Sequence, residues 1–171
     1  MIPYPVVVLV VFNIGWLACV LGAANGLPWL GLACALVLVP LHVYWRGTPA
    51  ADLRYLAAAA GLGLSVDAIL SALGILRFPE PVTVAGAPLW LVGLWLMFPA
   101  MAASCLGWIR PYPAVAVVFG AVGGALTYYA GSRLGALELH PELLLSMGAL
   151  AIAWGILFPL ILQLVPRDAS A

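Results

Sequence analysis

Apolar residues run along this chain in six blocks, each close to the 20 or so residues that a helix needs to cross about 30 Å of hydrocarbon. The blocks fall near 5–24, 28–45, 54–76, 88–109, 114–135 and 143–165. Between them, Asn25–Leu27, Arg46–Leu53, Arg77–Ala87, Arg110–Pro113 and Ala136–Glu142 gather the Gly, Pro and charged residues that mark turns at a bilayer surface. A backbone amide left unpaired in lipid is costly, so blocks of this length should be helices; the strict alternation of a membrane barrel is missing. The predicted fold is all-α: a polytopic bundle of six transmembrane helices making one integral membrane domain over residues 1–171.

Composition strengthens that reading. The chain is 66% hydrophobic and 7% charged and contains no lysine; its mean hydropathy is +1.19. A formal net charge of zero and the lack of a basic run argue against nucleic acid as a partner. Met1–Pro5 lacks the basic region of a cleavable signal, so the first block is predicted to stay as a permanent helix. An even number of spans puts both termini on one side, together with Arg46, Arg54, Arg110 and Arg167. Arg77 and Arg133 fall opposite, beside Glu80, Glu138 and Glu142. Positive charge near short loops stays inside, which predicts an inner-membrane protein with cytoplasmic termini. Trp29 and Trp90 would mark the outer interface and Trp45 and Trp108 the inner one, leaving Trp16, Trp95 and Trp154 deeper.

Lipid offers helices no hydrophobic reason to associate, so close packing must come from small residues. In the fifth block Gly120, Gly124, Thr127 and Gly131 form one smooth stripe; in the third, Ala60, Gly63, Asp67, Ser71 and Gly74 form another. The even-numbered blocks carry internal prolines, Pro40, Pro99 and Pro159, at near-equal spacing, which suggests three related helical hairpins with Asp67 in register with Thr127.

Candidate chemistry centres on Asp67, the one carboxylate inside an otherwise uncharged apolar run. A charge at membrane depth is costly and commonly marks a pathway or site. It is either a structural carboxylate, kept neutral by desolvation or bonded to Ser71, Asn13 or Thr127, or a functional one that carries protons, meets a substrate amine or acts as general acid or base. The stripe predicts that it points into the bundle. Asn13, with Trp16 on its face, is the second intramembrane polar group and is expected to hydrogen-bond another helix. His42, Tyr44 and Trp45 close the second block as part of an aromatic belt, with His42 a further catalytic candidate. Of Tyr128 and Tyr129, one must flank the glycine stripe, and Tyr128 is a candidate for both catalysis and ligand binding. Arg133 is expected to snorkel to headgroups. Cys19, Cys34 and Cys105 match no metal or redox spacing and should pack as thiols. The Glu138, His140, Glu142 alternation is too weak a pattern for a metal, and no cofactor is expected.

The segments Asn13–Ala23, Val66–Leu70, Pro88–Trp90 with Leu94–Trp95, and Gly120–Ala136 resemble a family of small bacterial inner-membrane proteins catalogued as domain of unknown function 2878. The resemblance covers nearly the whole chain. Asp67, His42, Tyr128, Gly131 and Arg133 match the family pattern, so a family site would map there. Ala103, Ser104 and Cys105 stand where that pattern carries an Asn-His-Ser-like group, and Ala125 where it carries proline. The resemblance implies a setting beside enzymes that modify membrane fatty acyl chains.

The leading expectation is an accessory protein of membrane-lipid modification or envelope stress. It would hold a lipid-like or small apolar ligand by Asn13, Trp16, Asp67, Ser71, Thr127 and Tyr128, with Gly63, Gly120, Gly124 and Gly131 packing the helices. Membrane lipids, and beyond them a lipid-modifying enzyme or transporter module, are the expected partners; the oligomeric state is left open. The alternatives are a small transporter or its substrate-binding subunit, and an intramembrane lipid- or isoprenoid-modifying enzyme. An enzyme with Asp67 as acid requires Asp67 to face a cavity open to lipid.

Overall fold

Prolines open three of the helices, in the first turn where a missing N–H costs nothing: Pro5, Pro49 and Pro113. The computed structural model describes residues 3–79, 83–84 and 86–166, so Glu80 and Arg167 lie outside the described residues. It contains six α-helices: α1 (Tyr4–Ala24), α2 (Trp29–Arg46), α3 (Pro49–Ala72), α4 (Leu89–Cys105), α5 (Pro113–Arg133) and α6 (Leu143–Leu164). Five are long and apolar enough to cross a membrane. The other, α4, has 17 residues and reaches about 26 Å at 1.5 Å per residue. No residue of α4 is exposed; it runs through the middle of the bundle against α1, α2 and α3. A helix wrapped in protein does not have to match the hydrocarbon thickness by itself.

Both ends of the bundle are tied. At one, the Tyr4 ring lies 5.0 Å from that of Trp45, and Arg110 donates to the carbonyls of Val165 and Gln163 at 3.2 and 3.3 Å. This end therefore gathers the start of α1, the α2–α3 and α4–α5 turns and the end of α6. At the opposite end β1 (Leu76–Arg77) pairs antiparallel with β4 (Glu138–Leu139), joining the connections that follow α3 and α5. A tight hairpin of β2 (Thr83–Val84) and β3 (Ala87–Pro88) leads into α4. α1, α2 and α3 pack on α4, α1 also packs on α2, and the most extensive pairing is α5 with α6, whereas α1 and α5 flank a cleft.

Three helix boundaries differ from the hydropathy pattern, for identifiable reasons. The third helix starts at Pro49 instead of Arg54, because the left-handed Gly47 (φ 72°) closes α2 and the chain turns at once into α3. It stops at Ala72 because Gly74 also adopts a left-handed conformation (φ 72°), which removes Gly74 from the expected stripe and sends Leu76 into β1. Asp67 therefore sits five residues from the end of its helix and not at its middle. The fourth helix ends at Cys105, and the remaining residues of that block form a 3-10 turn over Gly107–Ile109. Trp90, expected at a lipid interface, is buried against Phe78, while Trp29, Trp45 and Trp108 are exposed.

The expected small-residue faces do pack, and on tryptophans. A Cβ on Gly63 would overlap the Trp95 indole, and one on Gly124 would overlap the Trp154 indole. A Cβ on Gly120 would come within 2.5 Å of the Trp154 carbonyl oxygen. Gly131, by contrast, faces Leu137 in the following connection instead of another helix. A further close backbone crossing, which hydropathy gave no reason to expect, joins α2 and α4 at Gly31 and Gly93.

Candidate functional site

Asp67 is 1% exposed, and both carboxylate oxygens are held by neutral donors from other helices. Trp95 of α4 donates its indole N–H to Oδ2 at 2.6 Å, and Tyr128 of α5 donates its hydroxyl to Oδ1 at 2.5 Å. A carboxyl group in a low-dielectric interior needs its lone pairs satisfied, and these two donors meet that need. One side chain thus ties α3, α4 and α5 together. Gly63, one turn before Asp67, makes room for the Trp95 indole that reaches it. Gly124, one turn before Tyr128, does the same for Trp154. The two indoles stack at 5.4 Å with 15° between their planes.

The expected partners of Asp67 are elsewhere. Asn13 is exposed and donates to Leu9 O of its own helix at 2.7 Å; Thr127 is exposed and donates to Gly123 O at 2.8 Å. Asn13 lies near the middle of α1, so it does not share Asp67's depth. Ser71 is half-buried and away from the cleft. In register with Asp67, counting from the tryptophan-bearing glycines, stands Tyr128 and not Thr127. Trp95 was missed as a partner, although a deep tryptophan carries an N–H that must find an acceptor.

Beside this centre lies the cleft between α1 and α5, with a volume of about 490 Å³, inside the ~300–1,000 Å³ range of small-molecule sites. Leu9, Phe12, Asn13 and Trp16 form one wall; Gly123, Leu126, Thr127 and Tyr128 the other; Trp95, Phe98, Trp154 and Phe158 the floor. Of the six residues expected to bind ligand, Asn13, Trp16, Thr127 and Tyr128 line it, and Asp67 and Ser71 do not. Asp67 touches the cleft only through Tyr128 and Trp95. The condition for an enzyme with Asp67 as its acid, a carboxylate facing a cavity open to lipid, is not met.

His42, the remaining catalytic candidate, belongs to a second polar cluster at the end that carries the start of α1. It is fully buried, with Tyr4 Oη 2.8 Å and Ser104 Oγ 3.4 Å from Nδ1, so it is not an exposed belt residue. One turn along α2, Arg46 pairs with Asp52 at 2.8 Å, and the other Asp52 oxygen accepts from Thr48 at 2.8 Å. Asp52 is fully buried although the sequence places it in a linker among surface charges. Its signal was the short Arg46-to-Asp52 spacing across a Gly47 turn. Tyr55 closes the cluster by donating to Pro99 O at 3.1 Å. Tyr44 and Arg133 are exposed, as a belt tyrosine and a snorkelling arginine should be. In the opposite connection His140 Nδ1 accepts from the Glu142 amide, and no metal-holding group of side chains occurs among the described residues.

A model of the family described as "Protein of unknown function (DUF2878)" matches residues 5–160. The chain belongs to this family. No curated protein matches it, and no solved structure does either. The DUF2878 match covers all six helices apart from the ends of the first and last, and so takes in the Asp67 centre, the cleft and the His42 cluster.

Proposed function

We propose that this protein is a ligand-holding membrane protein, non-catalytic or accessory in membrane-lipid modification or envelope stress, whose ligand is lipid-like or apolar and sits in the α1–α5 cleft. The cleft is the observation that carries this reading. Its lining is overwhelmingly apolar, with Asn13, Thr127 and the Tyr128 hydroxyl as the polar groups able to orient an occupant. The sealed Asp67 supports a structural role for the carboxylate, holding Tyr128 and Trp95 in place as walls of the cleft. An inner-membrane location with the termini inside fits the arginine distribution, in which Arg46 serves an internal ion pair and Arg54 and Arg110 remain at the same end.

Gly123 provides the test. It lines the cleft, and a Cβ there meets nothing within 4 Å, so Gly123→Leu starts its side chain in open space and takes up volume in the cleft. Lipid extracted from the wild-type protein in mild detergent should be enriched in particular apolar species, and Gly123→Leu should lose that enrichment at unchanged yield. Asp67→Asn should change retention less, because Asp67 reaches the cleft only through Tyr128 and Trp95. Identical lipid profiles for wild type and Gly123→Leu would remove the cleft from any functional account.

A further inference from the structure

The floor and one wall of the cleft form a connected aromatic cluster, its rings mostly tilted or edge-on to one another. Ring centroids run Phe119 to Phe158 at 5.5 Å, Phe158 to Phe98 at 6.4 Å, Phe98 to Trp154 at 5.3 Å, Trp154 to Trp95 at 5.4 Å and Trp154 to Tyr128 at 6.1 Å. All six residues line the cleft. A saturated acyl chain needs no such surface; leucine and isoleucine pack it as well. Rings add an attraction that depends on the partner having a π system, since their quadrupoles favour offset or edge-on contact with another flat ring.

One free donor stands at mid-height of the cleft. Asn13 uses one amide hydrogen on Leu9 O, and a carboxamide carries a second. The Trp154 indole N–H is closed off from solvent and does not open on the cleft. An occupant that lay against the rings and brought a carbonyl oxygen to this height would accept from Asn13.

We infer that the cleft takes a planar conjugated ring bearing carbonyl acceptors on an apolar tail, the chemistry of a lipid quinone, in preference to a saturated chain. This rests on the cleft being the ligand site. The apolar walls of α1 and α5 receive the tail, and the exposed flank between these helices gives entry from the membrane.

Binding is measured on the purified full chain in one detergent, as the rise of the unfolding midpoint with ligand concentration. The probes are decyl-benzoquinone and decylcyclohexane, which share tail and ring size and differ in the π system and carbonyls. The quinone should bind the wild type roughly two- to tenfold more tightly, the range given by ring-on-ring contact. Asn13→Leu should shrink that preference, read as the ratio of the two affinities in the variant against the same ratio in the wild type. Equal affinity for the two probes overturns the quinone inference and leaves the cleft as a general lipid site. If Gly123→Leu binds both probes as the wild type does, the inference and the proposed function fall together.

Discussion

The bundle contains two buried acidic groups, and they are stabilised in opposite ways. Asp52 is neutralised by a cation, Arg46, and lies where chain ends and turns meet. Asp67 has no cation: Trp95 and Tyr128 supply two neutral donors from two other helices. The first arrangement is local, spanning a six-residue turn, and leaves the Nη2 atom of Arg46 and the Nε2 atom of neighbouring His42 buried without partners among the described residues. The second is long-range, and both carboxylate oxygens are bonded. A charge pair can form from nearby sequence; a carboxylate without a counter-ion needs three helices assembled around it.

Removing one partner at each centre separates them, and the largest effect belongs to the ion pair. Asp52→Ala leaves Arg46 charged and buried, and should destabilise the protein by about 3–5 kcal/mol in denaturant titrations in mild detergent. A small loss would mean that Arg46 escapes to the headgroups and that the pair is dispensable. Next, Asp67→Ala orphans the Trp95 and Tyr128 donors at about 1–3 kcal/mol. Asp67→Asn, which can still accept from Trp95 and donate to the Tyr128 oxygen, should cost less than about 1 kcal/mol. Equal losses for both would show that the negative charge itself matters, against the neutral-donor picture.

Gly63→Ala tests how the Asp67 centre is positioned. Its new methyl overlaps the Trp95 ring and should cost about 1–3 kcal/mol, with the Trp95 fluorescence shifted. Gly61→Ala, on the same helix with open space around it, should be silent. Tyr128→Phe belongs with Asp67→Asn at the mild end. It removes one interhelical hydrogen bond, worth roughly 0.6–1.7 kcal/mol in membranes. Additive losses in Tyr128→Phe with Gly63→Ala would indicate that the tyrosine and tryptophan grip the carboxylate independently; a sub-additive pair would mark one cooperative unit.

Much of this was readable from residue order. Residue order marks Asp67 as a carboxyl on a small-residue face and Gly63, Gly120 and Gly124 as packing positions; in the structure Asp67 is buried near the end of its helix, and the three glycines lie against Trp95, Phe158 and Trp154. Asp52 was passed over because a charged residue beside Gly47, Thr48 and Pro49 looks like a surface turn. Its burial depends on Arg46 folding back across that turn. Asn13 was given a neighbouring helix as its partner, but the wall it faces is a cleft, so its amide turned to its own backbone.

Residue order by itself determined the number of helices, their apolar character and the presence of one carboxylate among them. These follow from the cost of taking backbone and charge out of water, which each segment incurs alone. Tertiary structure decided that α4 is enclosed, that Trp95 and Tyr128 hold Asp67, and that a cleft opens between α1 and α5. Hydropathy is blind to those outcomes because lipid tails and a protein interior are equally apolar. Only the rotation and neighbours of each helix determine which of the two its side chains meet.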